Sequence, residues 1–166
     1  SDPSLWVAGT TPAEGAPTID EDTWVIGSAV PDGPAAIAPI ESSTAANGYA
    51  LFDSDLYCGG EQNATLTIAT GVDFSGYAGV LLQYEQYTAR WRGDYFVDVS
   101  NDGGTVWTPF EVNVGLAVTS STTPNTMVNP ELATVNISSV AAGFADVRVR
   151  FRYFSVVGIH AADAGC

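Results

Sequence analysis

From residue 146 to residue 154 the chain alternates without a break: Val147, Val149, Phe151 and Tyr153 fall on one parity, Arg148, Arg150 and Arg152 on the other. Successive side chains of an extended strand point to opposite faces, so this stretch buries its apolar set as a β-strand with an apolar layer against one side. The opposite face then carries a row of cations. Residues 94–110 repeat the demand. Tyr95, Val97 and Val99 alternate with Phe96, Asp98 and Ser100. Asn101-Asp102-Gly103-Gly104 then supplies residues that tolerate positive φ, which predicts a tight hairpin turn, and residues 105–110 return as a second β-prone strand.

Much of the remaining chain has the same character. Residues 49–52, 64–69, 79–87 and 134–137 are short β-prone stretches separated by turn-forming residues, and only residues 138–142 suit a single helical turn. Many short strands between turn signals predict an antiparallel sandwich or barrel. Residues 1–45 read differently. Pro12, Pro17, Pro31, Pro34 and Pro39 exclude a helix there and restrict strands to short edge pieces. Trp6 and Trp24, in two β-prone patches, would anchor this segment on the core. At 166 residues the whole reads as one domain, with an irregular segment 1–45, a conventional sandwich 46–155 and an atypical tail 156–166.

Charge narrows the partners. The chain carries 19 acidic side chains against 5 arginines and no lysine, a formal net charge of -14. A surface of that sign repels nucleic acid and anionic lipid, and no run approaches the ~20 apolar residues of a membrane-spanning helix. The N-terminus lacks the basic-then-apolar pattern of a signal peptide, so the expectation is a leader already removed or none. Cys58 and Cys166 leave two readings: a bridge closing most of the C-terminal two-thirds of the chain, or two separate free thiols.

Several ordered motifs carry a resemblance. They are Asn47-Gly48-Tyr49-Ala50-Leu51-Phe52-Asp53-Ser54-Asp55, Val72-Asp73-Phe74-Ser75-Gly76-Tyr77, the run from Tyr95 to Trp107, Val135-Asn136-Ile137-Ser138, and the strand from Val147 to Tyr153. Together, over about residues 45–155, they resemble the MAM-like jelly-roll modules of large secreted bacterial proteins that use the type IX secretion route. The resemblance implies an all-β, two-sheet antiparallel jelly-roll sandwich displayed outside the cell, usually beside a sorting domain. Such modules typically finish with a Trp-containing strand ending in Ile-Asp-Asp-Val. Here Phe154 is followed by Ser-Val-Val-Gly-Ile-His-Ala-Ala-Asp-Ala-Gly-Cys, with no Trp and no paired aspartates. The final strand is therefore expected to be altered, supplied differently or missing, leaving a sheet edge open to a strand from another molecule.

Candidate chemistry is sparse. His160 is the only histidine and lysine is absent, so a His-based triad or multi-His metal site has no material. Glu85, Asp94, Asp98 and Glu111 offer carboxylates, but no pattern sets one as acid beside another as base, and the chain reads as non-catalytic. The arginine row has two readings. It forms cross-strand ion pairs with Asp98, or with Glu85 and Gln83, on a flanking strand. Alternatively Arg148, Arg150, Arg152, Glu85, Tyr87 and Trp91 form a face that holds a sugar.

Asp53, Asp55 and Glu61 share a turn-rich stretch that is either a solvated acidic loop or a site for structural calcium, the one cofactor the sequence suggests. Asp102, Gly103, Gly104 and Trp107 nearly fit the Asp-box turn, a structural device in which an Asp ties down a hairpin over a Trp. The combined expectation is an extracellular structural or adhesive subunit of a bacterial cell-surface assembly. Its copies would join by sharing strands, with the Pro-rich N-terminal segment as the arm, and its partners would be copies of itself, other surface proteins or glycans. The alternative expectation is a carbohydrate-binding module.

Overall fold

In the computed structural model, residues 2–10, 23–33, 35–56, 62–90, 93–116 and 127–155 are described. Their strands are β1 (Trp6–Thr10), β2 (Val25–Gly27), β3 (Tyr49–Leu51), β4 (Gln62–Ile68), β5 (Leu81–Gln86), β6 (Asp94–Ser100), β7 (Thr108–Val112), β8 (Glu131–Asn136) and β9 (Arg148–Ser155), with one α-helical turn, α1 (Ser138–Ala141), and 3-10 turns at Pro3–Leu5 and Ala45–Asn47. The alternating stretches lie at the centre of the larger sheet. It has five antiparallel strands in the order β1-β4-β9-β6-β7, so β9 pairs on both sides, with β4 and with β6.

Parity then builds the core. Val97 and Val99 of β6 face Leu82 and Tyr84 of β5 and Val135 of β8 across the sandwich, with Val149 and Phe151 of β9 joining them. Val97, Val99 and Val147 are fully buried. Ile137 and Ala141, at α1, pack into the same cluster. The result is an all-β antiparallel sandwich, as the pattern of short strands predicts.

The second layer is divided. β5 pairs with β8 in one two-stranded ribbon and β2 with β3 in another, and no ladder joins the two ribbons among the described residues. Both tryptophan patches of the N-terminal segment are anchored on their own molecule. β1 pairs with β4 while Trp6 lies 6.0 Å from Phe151, and β2 pairs with β3 while Trp24 lies 5.7 Å from Phe52. The described parts of this segment are therefore engaged within the chain rather than held out as an arm.

The hairpin differs from expectation. β6 ends at Ser100 and β7 begins at Thr108, with Val99 opposite Thr108, so the connection is a wide loop and not a tight turn. Asp102 organises that loop. Its carboxylate accepts from the backbone N–H groups of Thr105 (2.9 Å) and Val106 (3.0 Å) and from the Ser100 hydroxyl (2.7 Å). Gly103 and Gly104 take φ of 73° and 97°, as the motif requires.

Ile137 is 1% exposed and surrounded by core side chains. Ile137→Ala should cost about 2–5 kcal/mol, since the lost burial adds to a cavity the backbone cannot close. Urea unfolding with an unchanged m-value is the check.

Candidate functional site

Two regions of the sandwich gather the candidate side chains: the outer face of the five-stranded sheet, and a slot in the divided second layer.

On the outer face, the register sets Asp98 of β6 directly opposite Arg150 of β9, with Arg152 one pleat along, opposite Phe96. Asp98 is only 1% exposed although it lies on the sheet's outer side. Both arginines cover it. Arg150 Nε and Arg152 Nε each donate to Asp98 Oδ2 at 2.7 Å, and Arg152 Nη2 donates to Oδ1 at 3.1 Å. The guanidinium groups lie on aromatic rings, Arg150 at 4.3 Å from the Trp107 ring centroid and Arg152 at 4.1 Å from that of Phe96. Trp107 thus packs beneath an arginine as well as beside Gly104. Arg148 stands at the end of the row, 3.9 Å from Asp146.

Of the two partners proposed for this row, Asp98 is the one in place. Glu85 and Gln83 belong to β5 in the other layer, where Gln83 donates to Thr134 and Glu85 accepts from the Ser43 amide and hydroxyl. Of the six residues of the predicted sugar face, Arg148, Arg150 and Arg152 share the outer face, Glu85 and Tyr87 line the slot together with Arg152, and Trp91 lies outside the described residues.

The slot is a cavity of ≈ 370 Å³. Residues 49–55, from β3 onward, and 84–89, from β5 onward, both line it, and Trp6, Leu66, Phe151 and Tyr153 of the larger sheet contribute apolar walls. A chain of ring contacts runs along it, with Phe52 tilted against Tyr153 at 5.0 Å and Tyr153 edge-on to Tyr95 at 5.4 Å. Burial, aided by Glu131, pushes the Tyr84 hydroxyl up to about 12. Burial likewise raises Tyr95 and Tyr153, so the three phenols stay neutral at physiological pH. The Trp24 indole N–H is buried and has no acceptor among the described residues. Sequence patterning did not reveal this cavity, because it arises where two ribbons fail to join.

A strap comprising residues 31–33 and 35–43 forms part of the slot's lining, through Pro31, Ala35, Ala36, Ile37, Ala38 and Ile40. Asp53 accepts from the N–H groups of Asp32 (2.6 Å) and Gly33 (3.2 Å), and Asp55 accepts from that of Ala35. Asn129 holds the far end through Glu41 N–H and the Pro39 carbonyl. Asp53 and Asp55, proposed as calcium ligands, are thus brought together, but with backbone donors on their oxygens. Glu61 lies outside the described residues, as do Cys58 and Cys166. Among the described residues no three His, Cys, Asp or Glu side chains gather as a metal site. Burial, and next a hydrogen bond with Asp53, holds the Asp55 carboxyl above its ordinary value.

No family model, curated protein or solved structure matches this chain.

Two substitutions test this geometry. Asp98→Ala strands two partly covered guanidinium groups; the loss should sit near the lower end of about 3–5 kcal/mol, because both arginines keep some contact with water. Asp98→Asn should destabilise in the same direction, and chemical denaturation measures both. A carboxyl whose folded pKa is raised contributes stability at low pH that is lost as the pH rises through the folded value. Asp55→Asn, which cannot ionise, should therefore melt above the parent at pH 7 and converge on it as the pH falls toward about 4.

Proposed function

We propose that this chain is a non-catalytic, extracellular contact module, a structural or adhesive subunit of a bacterial surface assembly whose copies join by sharing a β-strand. The divided second layer carries this reading. Among the described residues, the edge of β3 away from β2 and the edge of β5 away from β8 have no ladder partner. Unpaired edges bordering an apolar cavity are the features that strand addition uses. The resemblance of residues 45–155 to secreted MAM-like modules supports the same compartment.

The outer edge at β7 is less suited to this role, since β7 carries Pro109, which has no N–H to donate. The strongly acidic surface also disfavours nucleic acid and anionic lipid as partners. The carbohydrate reading has its own support in the planar Arg150 and Arg152 groups on the outer face, although both are already bonded to Asp98.

Purified chain at micromolar concentration, viewed by negative-stain microscopy with light scattering, should form regular filaments or closed oligomers, with or without calcium. A uniform monomer would overturn the assembly reading. Glycan-array binding that disappears in Arg150→Ala, with the melting curve unchanged, would favour the carbohydrate module instead.

A further inference from the structure

We infer that the strap of residues 31–33 and 35–43 is a lid on the slot, one that lifts as a unit while the rest of the sandwich stays folded. The lid stands on the strap's own bonding. Its consequence, a brake on strand addition at the edges of β3 and β5, rests on the assembly reading above.

Where the strap's backbone bonds go sets it apart from the strands. Among the described residues it joins no ladder, and its backbone–backbone bonds are two local ones, from Ala36 N–H to the Gly33 carbonyl and from Ala45 N–H to the Ser42 carbonyl, each 3.0 Å. Side chains take five of its amides instead. Those of Asp32 and Gly33 donate to Asp53 and that of Ala35 to Asp55, just beyond β3, while those of Glu41 and Ser43 donate to Asn129, before β8, and to Glu85 of β5. The strap therefore runs from one ribbon to the other, across a gap that no ladder closes among the described residues. Its bonds at Ala35, Glu41 and Ser43 are exposed, so water can take the place of each acceptor at little net cost.

Its apolar contact is limited too. Ile37 and Ile40 are half-buried where they line the slot, while Ala35, Ala36 and Ala38 remain exposed. In β6, by contrast, Val97 and Val99 are fully buried and their strand is paired on both sides. The free energy of local opening follows buried apolar contact and protected backbone bonds, so the strap stands at the low end of the molecule's range and β6 at the high end.

The closed position is nevertheless a fitted one. Gly33 is buried, and a Cβ added there would run into the Asp55 carboxyl, so the strap seats directly on that side chain. Close seating beside β3 and clasps on the opposite ribbon define one closed state, and releasing either end frees the stretch between them. Ile37 and Ile40 line the same slot as residues 49–55 and 84–89, so a strand added to β3 or β5 from within the slot would have to displace them.

Hydrogen exchange on the full chain, below the concentration at which it assembles, tests the lid. Relative to their intrinsic rates, the amides of Asp32, Gly33, Ala35, Glu41 and Ser43 should exchange at least about 100-fold faster than those of Val97 and Val99. Asn129→Ala removes the clasps at Glu41 and Pro39 and should speed all five about tenfold, with Val97 and Val99 unchanged. The response of Asp32 and Gly33, at the far end, distinguishes a lid from a loop that frays. Acceleration confined to Glu41 and Ser43, or strap amides that exchange only in step with Val97 and Val99, would overturn the lid. Light scattering tests the brake: Asn129→Ala should assemble faster than the parent, by about the same factor as its strap exchange. An unchanged assembly rate beside faster strap exchange overturns the brake and leaves the lid. If parent and variant both stay monomeric, the assembly reading and the brake fail together, while the lid still stands or falls on the exchange rates.

Discussion

Asp98 is an acid buried on the outside of a sheet, and two arginines from the neighbouring strand make that tolerable. Removing a carboxylate from water is expensive unless its lone pairs are met by charged donors in good geometry, and here three N–H groups from Arg150 and Arg152 meet them. The same contact fixes the register of β6 against β9. Slipping that pair by one residue would turn Arg150 and Arg152 into the core and Phe151 out of it, so the ion pairs and the apolar packing specify one alignment. Because β9 is bonded to both β4 and β6, the alignment propagates across the larger sheet.

Those interactions were legible in sequence because they obey a period of two. Val147, Val149, Phe151 and Tyr153 against Arg148, Arg150 and Arg152 already state which face is buried, and the fold follows that division. The partner of the arginines was harder to assign. Asp98, Glu85 and Gln83 all sit on alternating strands, and local pattern does not say which strand neighbours which. Sheet order is a long-range property, and it brings β6 beside β9 while sending β5 to the opposite layer. The wide loop after Ser100 has a related cause. Gly103 and Gly104 do adopt positive φ, but Asp102 gathers Thr105 and Val106 amides and enlarges the turn beyond what the glycines alone would dictate.

The slot was illegible for a different reason. A cavity is a failure of two elements to meet, and no residue announces it. Its rings were visible as scattered aromatics, Trp24, Phe52, Tyr95 and Tyr153, separated by up to 129 positions between Trp24 and Tyr153. Only the folded chain brings them into one wall of touching rings. Asp53 and Asp55 illustrate the ambiguity of short acidic motifs: the same carboxylates suit calcium or backbone amides, and here they accept from the strap's N–H groups.

The two halves of the sandwich therefore have different physical standing. The larger sheet has its central strand paired on both sides, its buried acid bonded to two arginines and one edge strand interrupted by Pro109. The second layer consists of two ribbons over an aromatic floor, and an isolated two-stranded ribbon has little stability in water by itself. What holds β2 and β3 in place is the ring packing of Trp24 on Phe52 and Phe52 on Tyr153, together with the strap tied to Asp53, Asp55, Glu85 and Asn129.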